Sequence, residues 1–352
     1  MQTSQQQEVE VSTLYPERHL RRSLPVNLKP EHLSMFDQEL EQVIPSSQLL
    51  IMQDVFASSE GVLFKSGRIL PESFAAPFQL DAWKTKSRVK FLASNYLFKA
   101  SRRLEREGVW ILDNWSEGYY HWLADTLPRL YSIRERMSDL TLLVPERFKK
   151  LEFVNGSLRA FNLPSVELIG AHERISCPRL IVPMHTAPSG HHNDEVIQGI
   201  RKLMLDFYGE RPELNPNGRI YISRRLAPKR KVINEPEVAE IVAGFGFQVV
   251  DAEGLSFVQQ VQLLATTRHL ISNHGAGLTN MMFMPSGGSV LELRHRTDRS
   301  YNCYFNLASA LNHKYFYLAC QAANPEEDAH TADIQVDVNE LKDTIRSMID
   351  SE

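Results

Sequence analysis

Leu270-Ile271-Ser272-Asn273-His274-Gly275-Ala276-Gly277-Leu278-Thr279-Asn280 reads as the end of a strand, a glycine-rich turn and the start of a helix. The apolar pair Leu270-Ile271 stops at Ser272, two glycines bracket Ala276, and an apolar run continues from Leu278 to Met284. Such a turn leaves main-chain N–H groups unpaired at the positive end of a helix, where an anion is stabilised. The next apolar run, Ser289 to Leu293, carries one acid, Glu292. An acid at a strand end beside a phosphate turn binds ribose hydroxyls in dinucleotide sites, so Glu292 is a candidate ribose ligand. Gly-x-Gly alone also serves turns that need only a positive φ, so the surroundings must decide.

Working outward, short apolar runs alternate with helical patterns. Strands are expected at Arg219–Ser223, Phe247–Val250, His269–Ile271, Ser289–Leu293 and Tyr315–Leu318. Helices are expected at Asp194–Tyr208, Glu235–Gly244, Ser256–Thr266, Tyr304–Leu311 and Val338–Ile349, with a turn at 215–218. This alternation predicts βαβ units and a parallel sheet of about five strands covered on both faces. The first half is looser. It shows strand patterns near 62–65, 108–112, 140–144, 166–169 and 179–182, and a long helix from Tyr119 to Met137 that Pro128 should kink or restart. The segment Pro183–Asn193 reads as a linker. The expected division is a disordered tail over 1–18, an α/β domain over 19–193 and a Rossmann-like domain over 194–352.

The chain has 352 residues, 43% hydrophobic and 23% charged, within the range of globular domains. A net charge of −4 gives no global basic field for nucleic acid. Cys177, Cys303 and Cys320 fit neither a disulfide framework nor metal spacing and point to a reducing compartment. There is no basic and apolar leader, and no apolar run near the ~20 residues of a membrane span. The expected location is therefore cytoplasmic, peripheral at the inner membrane face if the acceptor is lipid-linked. Nothing in the sequence specifies an oligomeric state.

Two stretches carry chemistry beside the glycine turn. After the strand ending at Ser223, five cations follow within eight positions: Arg224, Arg225, Lys229, Arg230 and Lys231. Ligands of open α/β sheets sit beyond the C-terminal strand ends, so Arg224 and Lys231 are placed to bind phosphate. A solvated basic loop is the competing reading. In Asp113 to Arg129, His121 and Asp125 share one helix face, as a general base and its carboxylate partner would. Asp113 and Glu117 are rival bases, and Trp115, Tyr119, Tyr120 and Trp122 supply aromatic faces for a sugar or for a core. His185, His191 and His192 match no standard metal spacing and read as a polar hinge.

As an ordered series these motifs resemble glycosyltransferase family 61. They are Asn114-Trp115 with Tyr120-His121-Trp122-Leu123, Asp125 and Leu127-Pro128-Arg129-Leu130; Tyr221-Ile222-Ser223-Arg224 with Lys231 and Asn234-Glu235; and His274 to Asn280 with Phe283, Pro285 and Val290 to Leu293. The resemblance covers about residues 108–318. Two positions depart from the family pattern: Asn273, where proline is common, and Lys231, where arginine is expected. The resemblance implies a GT-B architecture of two Rossmann-like domains facing across a cleft. It also implies inverting transfer from a nucleotide sugar, a UDP-sugar, to a saccharide or lipid-linked glycan in capsule or polysaccharide biosynthesis, with no cofactor and no obligatory metal. His121 and Asp125 would then be catalytic, and Ser223, Arg224, Lys231, Asn234, His274, Gly275, Ala276, Gly277, Asn280 and Glu292 would bind the donor. A nucleotide-sugar epimerase and a non-catalytic nucleotide-sugar-binding subunit are the alternatives; neither would transfer sugar to an acceptor.

Overall fold

The computed structural model describes residues 9–209, 217–324 and 326–351. Residues 1–8 of the expected tail, and residues 215 and 216 of the expected turn, lie outside them. The strands, in chain order, are β1 (Val9–Tyr15), β2 (Arg18–Arg21), β3 (Glu41–Ile44), β4 (Ser47–Ser58), β5 (Leu63–Lys65), β6 (Arg68–Ile69), β7 (Ala100–Arg103), β8 (Gly108–Val109), β9 (Thr141–Pro145), β10 (Val166–Ile169) and β11 (Glu173–Pro183). They continue as β12 (Gly218–Ser223), β13 (Gln248–Asp251), β14 (Thr267–Asn273), β15 (Ser289–His295), β16 (Lys314–Ala322) and β17 (Ile334–Gln335). The chain folds as two compact units, one of residues 1–17 and 45–189, the other of 18–44 and 190–352.

The first unit has a nine-stranded mixed sheet. Strands β10, β9, β8 and β11 run parallel, and β11 then pairs antiparallel with β4, which pairs with β5 and β1. The tail expected over 1–18 therefore contains a strand. Val9–Tyr15 is mostly exposed and gains its order from main-chain pairing with β4, which composition does not reveal. The parallel half has a switch in direction. From β8 the chain moves outward through β9 to β10, and then returns to the other side of β8 as β11. The crevice beyond the C-terminal ends of β8 and β11 is thus a topological switch point.

The second unit carries five parallel strands in the order β13-β12-β14-β15-β16, with β17 antiparallel at the edge. All five lie at the positions expected from the apolar runs. β15 is buried along its whole length, as a strand covered on both faces must be. Helix Phe257–Ala265 opens with a capping box in which Ser256 and Gln259 bond each other's backbone N–H groups. Residues 18–44 belong to this unit, because Val26 N–H donates to the Tyr315 carbonyl and the Asn27 side chain brackets Tyr317 along the edge of β16. Phe36 packs against Phe305, Tyr315 and Tyr317. In this sheet the direction reverses between β12, followed by β13 on one side, and β14 on the other. Its switch point is the crevice beyond Ser223 and Asn273. Among the described residues no helix is long and apolar enough to cross a membrane.

Candidate functional site

The first-unit site grows out of a helical segment that changes pitch. Tyr119–His121 begins as α-helix, Trp122–Thr126 is a π turn, and Leu127–Ser132 is α-helix again. Pro128 explains the change, since it has no N–H to offer the carbonyl four residues back, and π turns are frequent at functional sites. On this turn His121 Nδ1 lies 2.7 Å from Asp125 Oδ2. Asp125 is buried, and Ser189 Oγ donates to the same oxygen at 2.7 Å. The carboxylate accepts from both neighbours, so Nδ1 carries the proton and the Nε2 lone pair is left on a ring whose side chain is 31% exposed. That is the arrangement of a general base. Trp115 lies against the imidazole at 4.8 Å between ring centroids, and Tyr120 meets it edge-on. Trp122 is turned into the core instead, where its Nε1–H donates to Ser157 Oγ.

The rival bases are occupied. Asp113 is buried and accepts from His185 Nε2 at 2.8 Å, from the Trp115 N–H and from Ser116 Oγ, with Arg129 Nη1 at 3.8 Å. Burial works to raise its carboxyl, but the His185 hydrogen bond and the Arg129 charge outweigh it and hold the group below its ordinary value. Burial likewise draws the Arg129 guanidinium down to about 10, against the pull of Asp113. Glu117 is paired with Arg147 Nε at 2.7 Å. Asp113 follows β8 and His185 follows β11, so the buried carboxylate and its half-buried histidine partner lie at the first unit's switch point. The three linker histidines take separate partners: His185 goes to Asp113, His191 to Glu39 and His192 to the Cys303 carbonyl.

In the second unit the switch point brings the basic loop and the glycine turn together. A Cβ on Gly275 would lie 2.2 Å from Arg224 Nη1 and 2.6 Å from its Cζ, so the guanidinium rests against the bare glycine. Gly275 has φ 161°, an extended conformation open to any residue, and its need is space. A Cβ on Gly277 would meet Ile222 Cγ2 at 2.9 Å, so this glycine lets the turn close onto β12. A 3-10 helix follows over Ala276–Phe283. Its first N–H groups, those of Ala276 and Gly277, precede the bond from Leu278 N–H to the Gly275 carbonyl. Arg224 is half-buried, and its guanidinium is held below its ordinary value by burial and by the neighbouring Arg230 charge, partly offset by Tyr304 and Glu253. The Nε atoms of Arg224 and Arg230 are buried with no hydrogen-bond partner among the described residues. Guanidinium groups with spare donors beside main-chain N–H groups have the chemistry to hold an anion.

Several expected donor ligands are placed differently. The cation coupled to Arg224 is Arg230, which the sequence reading passed over. The Lys231 backbone is anchored, its N–H donating to Asp333 and its carbonyl accepting from Ile334. Arg230 sits at φ 57°, a left-handed turn that no residue pattern announces, with its carbonyl held by the Asn273 side-chain amide. Asn234 spends both ends of its amide on the backbone of Val336. Asn280 is buried against Gln260, and Ser223 Oγ accepts from the Arg225 N–H. Glu292 is fully buried and both of its oxygens are used, by His274 Nδ1 and by Tyr315 Oη, each at 2.5 Å. The sequence showed a lone acid near a strand end, but Glu292 lies inside the ladder, in register with Ser272 and Tyr317. Tyr301 and His330, which stack on each other at 4.5 Å, join the cluster around His274 without any motif to mark them. A separate cavity of about 740 Å³, lined in part by Lys29, Arg296 and Arg299, shares no residue with this turn.

The candidate groups thus lie at the C-terminal switch points of two sheets, where open α/β sheets bind ligands. Residues 119–291, which contain most of both sites, match the Glycosyltransferase 61 family model. Similar proteins include the EGF domain-specific O-linked N-acetylglucosamine transferase of Drosophila melanogaster, 35% identical over 121 residues, or 31% of this chain and 23% of that protein. The proteins of the same name from Pan troglodytes and Mus musculus are each 35% identical over 95 residues, 26% of this chain and 18% of theirs. The chain thus aligns with less than a quarter of the length of these relatives.

Proposed function

We propose that this chain is an inverting glycosyltransferase that moves a sugar from a UDP-sugar to a hydroxyl group of a saccharide or glycoconjugate, in the assembly of a polysaccharide or a related glycan. The observation that carries this reading is the meeting of Arg224 with the Gly275 turn at the second unit's switch point, with the Arg230 charge beside Arg224. There the guanidinium groups and the Ala276 and Gly277 N–H groups hold the diphosphate and stabilise the charge that grows on it as it leaves. With those cations in place, transfer needs no obligatory metal. His121 Nε2 takes the proton of the acceptor hydroxyl as its oxygen bonds to the anomeric carbon. The bond from that carbon to the diphosphate breaks, UDP departs with the electron pair, and the configuration inverts. Asp125 holds the ring and stabilises the imidazolium that forms. The architecture proposed with it is GT-B. The names of the relatives make UDP-N-acetylglucosamine the first donor to try, with EGF-like domains and lipid-linked glycans as rival acceptors.

The test is transfer by the purified chain from a set of UDP-sugars, with the anomeric configuration of the product read by NMR. The proposal expects an inverted linkage, a loss of about 10²- to 10⁴-fold in kcat for His121→Ala, and weakened donor binding for Arg224→Ala. A retained configuration, or full activity in His121→Ala, would overturn it.

A further inference from the structure

Behind His274 lies a buried charged network that the reaction scheme above does not use. Glu292 and Arg294 are both 0% exposed, and Tyr315 is 4% exposed. Glu292 Oε2 accepts from Tyr315 Oη at 2.5 Å, and Arg294 donates to Asn302 Oδ1 at 2.9 Å and approaches Asp298 Oδ2 at 3.4 Å. Asp298 in turn accepts from the N–H groups of Ser300 and Tyr301, which sets the loop that carries Tyr301 beside His274. Burying a carboxylate is costly unless its oxygens are satisfied and its charge is compensated. Here both conditions hold, and the imidazole of His274 leads from this network toward the turn.

The protonation pattern follows from the acceptors. Burial works to raise the Glu292 carboxyl, but His274, Arg294 and Tyr315 outweigh it and keep the group below its ordinary value, so it is ionised. An ionised carboxylate 2.5 Å from Nδ1 can only accept there. The His274 N–H, donating to the Leu293 carbonyl at 2.9 Å, fixes the backbone, and Tyr304 meets the ring at 5.0 Å between centroids. Nε2 makes no hydrogen bond among the described residues, and the His274 side chain is 12% exposed.

We propose that Glu292 is a positioning residue for His274: its carboxylate holds Nδ1–H and turns Nε2 toward the diphosphate bound at the Gly275 turn. The role rests on the donor-site reading given above. The arriving diphosphate draws a proton onto Nε2, and the ring then donates on both sides, to Glu292 and to phosphate. Tyr301 and Tyr304 pack around the ring.

Imidazole ¹⁵N NMR of histidine-labelled protein, with calorimetric titration of UDP, tests this. In the free wild type the His274 ring is expected to carry its proton on Nδ1, and with UDP bound on both nitrogens. Glu292→Gln should lose the Nδ1 signature and weaken UDP binding at least tenfold. His274→Gln should weaken it equally, with no further loss in the double variant. An unprotonated Nδ1 in the wild type overturns the inference, and this decides the matter even if Glu292→Gln does not fold. Wild-type UDP binding that survives in folded Glu292→Gln within twofold overturns this inference alone. Absence of UDP binding to the wild type overturns the donor-site reading and this role with it.

Discussion

Replacing Gly275 with alanine separates ligand binding from folding. The added methyl would lie 2.2 Å from Nη1, 2.6 Å from Cζ and 3.0 Å from Nε of Arg224, all well inside van der Waals contact. The backbone does not object, because φ 161° suits alanine. The obstacle is the end of a flexible side chain, and Arg224 can swing aside at little cost to stability. Its guanidinium then no longer faces the N–H groups of Ala276 and Gly277. A hydrogen bond to a charged group contributes about 1.5–3 kcal/mol, so UDP affinity should fall about 10- to 100-fold. Tm should change by less than about 2 °C, corresponding to well under 1 kcal/mol for a unit of this size. Calorimetric titration of UDP, paired with thermal unfolding, reads both quantities. In a double-mutant cycle with Arg224→Ala, the second change should add almost nothing, because both remove the same contact. Wild-type affinity in Gly275→Ala, or fully additive losses, would refute the steric argument.

Gly277→Ala should behave in the opposite way. Its Cβ meets Ile222 Cγ2 at 2.9 Å inside the sheet–helix packing, so it should destabilise by about 1–3 kcal/mol in denaturant unfolding. Asp125→Asn should leave the fold intact and lower kcat on the order of 100-fold, since His121 loses the carboxylate that fixes its tautomer; steady-state kinetics at saturating donor checks this. Asp113→Ala should destabilise by about 3–5 kcal/mol by leaving Arg129 buried and unpaired, as measured by chemical denaturation. Because the folded Asp113 carboxyl titrates below its unfolded value of about 3.9, its contribution is present above that pH and is lost as the pH falls through the folded value. Acid unfolding of Asp113→Asn should therefore show a weaker pH dependence below about pH 4 than the wild type.

The second unit was legible because its inner strands, β14 and β15 above all, are short apolar runs buried on both faces. Helix starts such as Ser256 with Gln259 carried their own signals. The antiparallel half of the first sheet was not. β4 runs twelve residues through Gln53 and Asp54, the latter at φ 50°, and β1 is exposed along most of its length. Their order comes from partners distant in sequence. Residues 18–44 join the second unit through Phe36 and the edge of β16, contacts that no local pattern contains. At the sites, the i, i+4 spacing of His121 and Asp125 and the pairing of Arg224 with the glycine turn could be anticipated from position on a helix or strand end. The burial of Glu292, the locked amides of Asn234 and Asn280, and the place of Arg230 beside Arg224 depend on side-chain direction, which spacing alone does not fix.

The most direct test of the account is a crystal structure with UDP bound. The account predicts the diphosphate within hydrogen-bonding distance of the Ala276 and Gly277 N–H groups and the Arg224 guanidinium, at the switch point between β12 and β14. A diphosphate found elsewhere, such as in the cavity beside Arg296 and Arg299, with the Gly275 turn uncontacted, would contradict it.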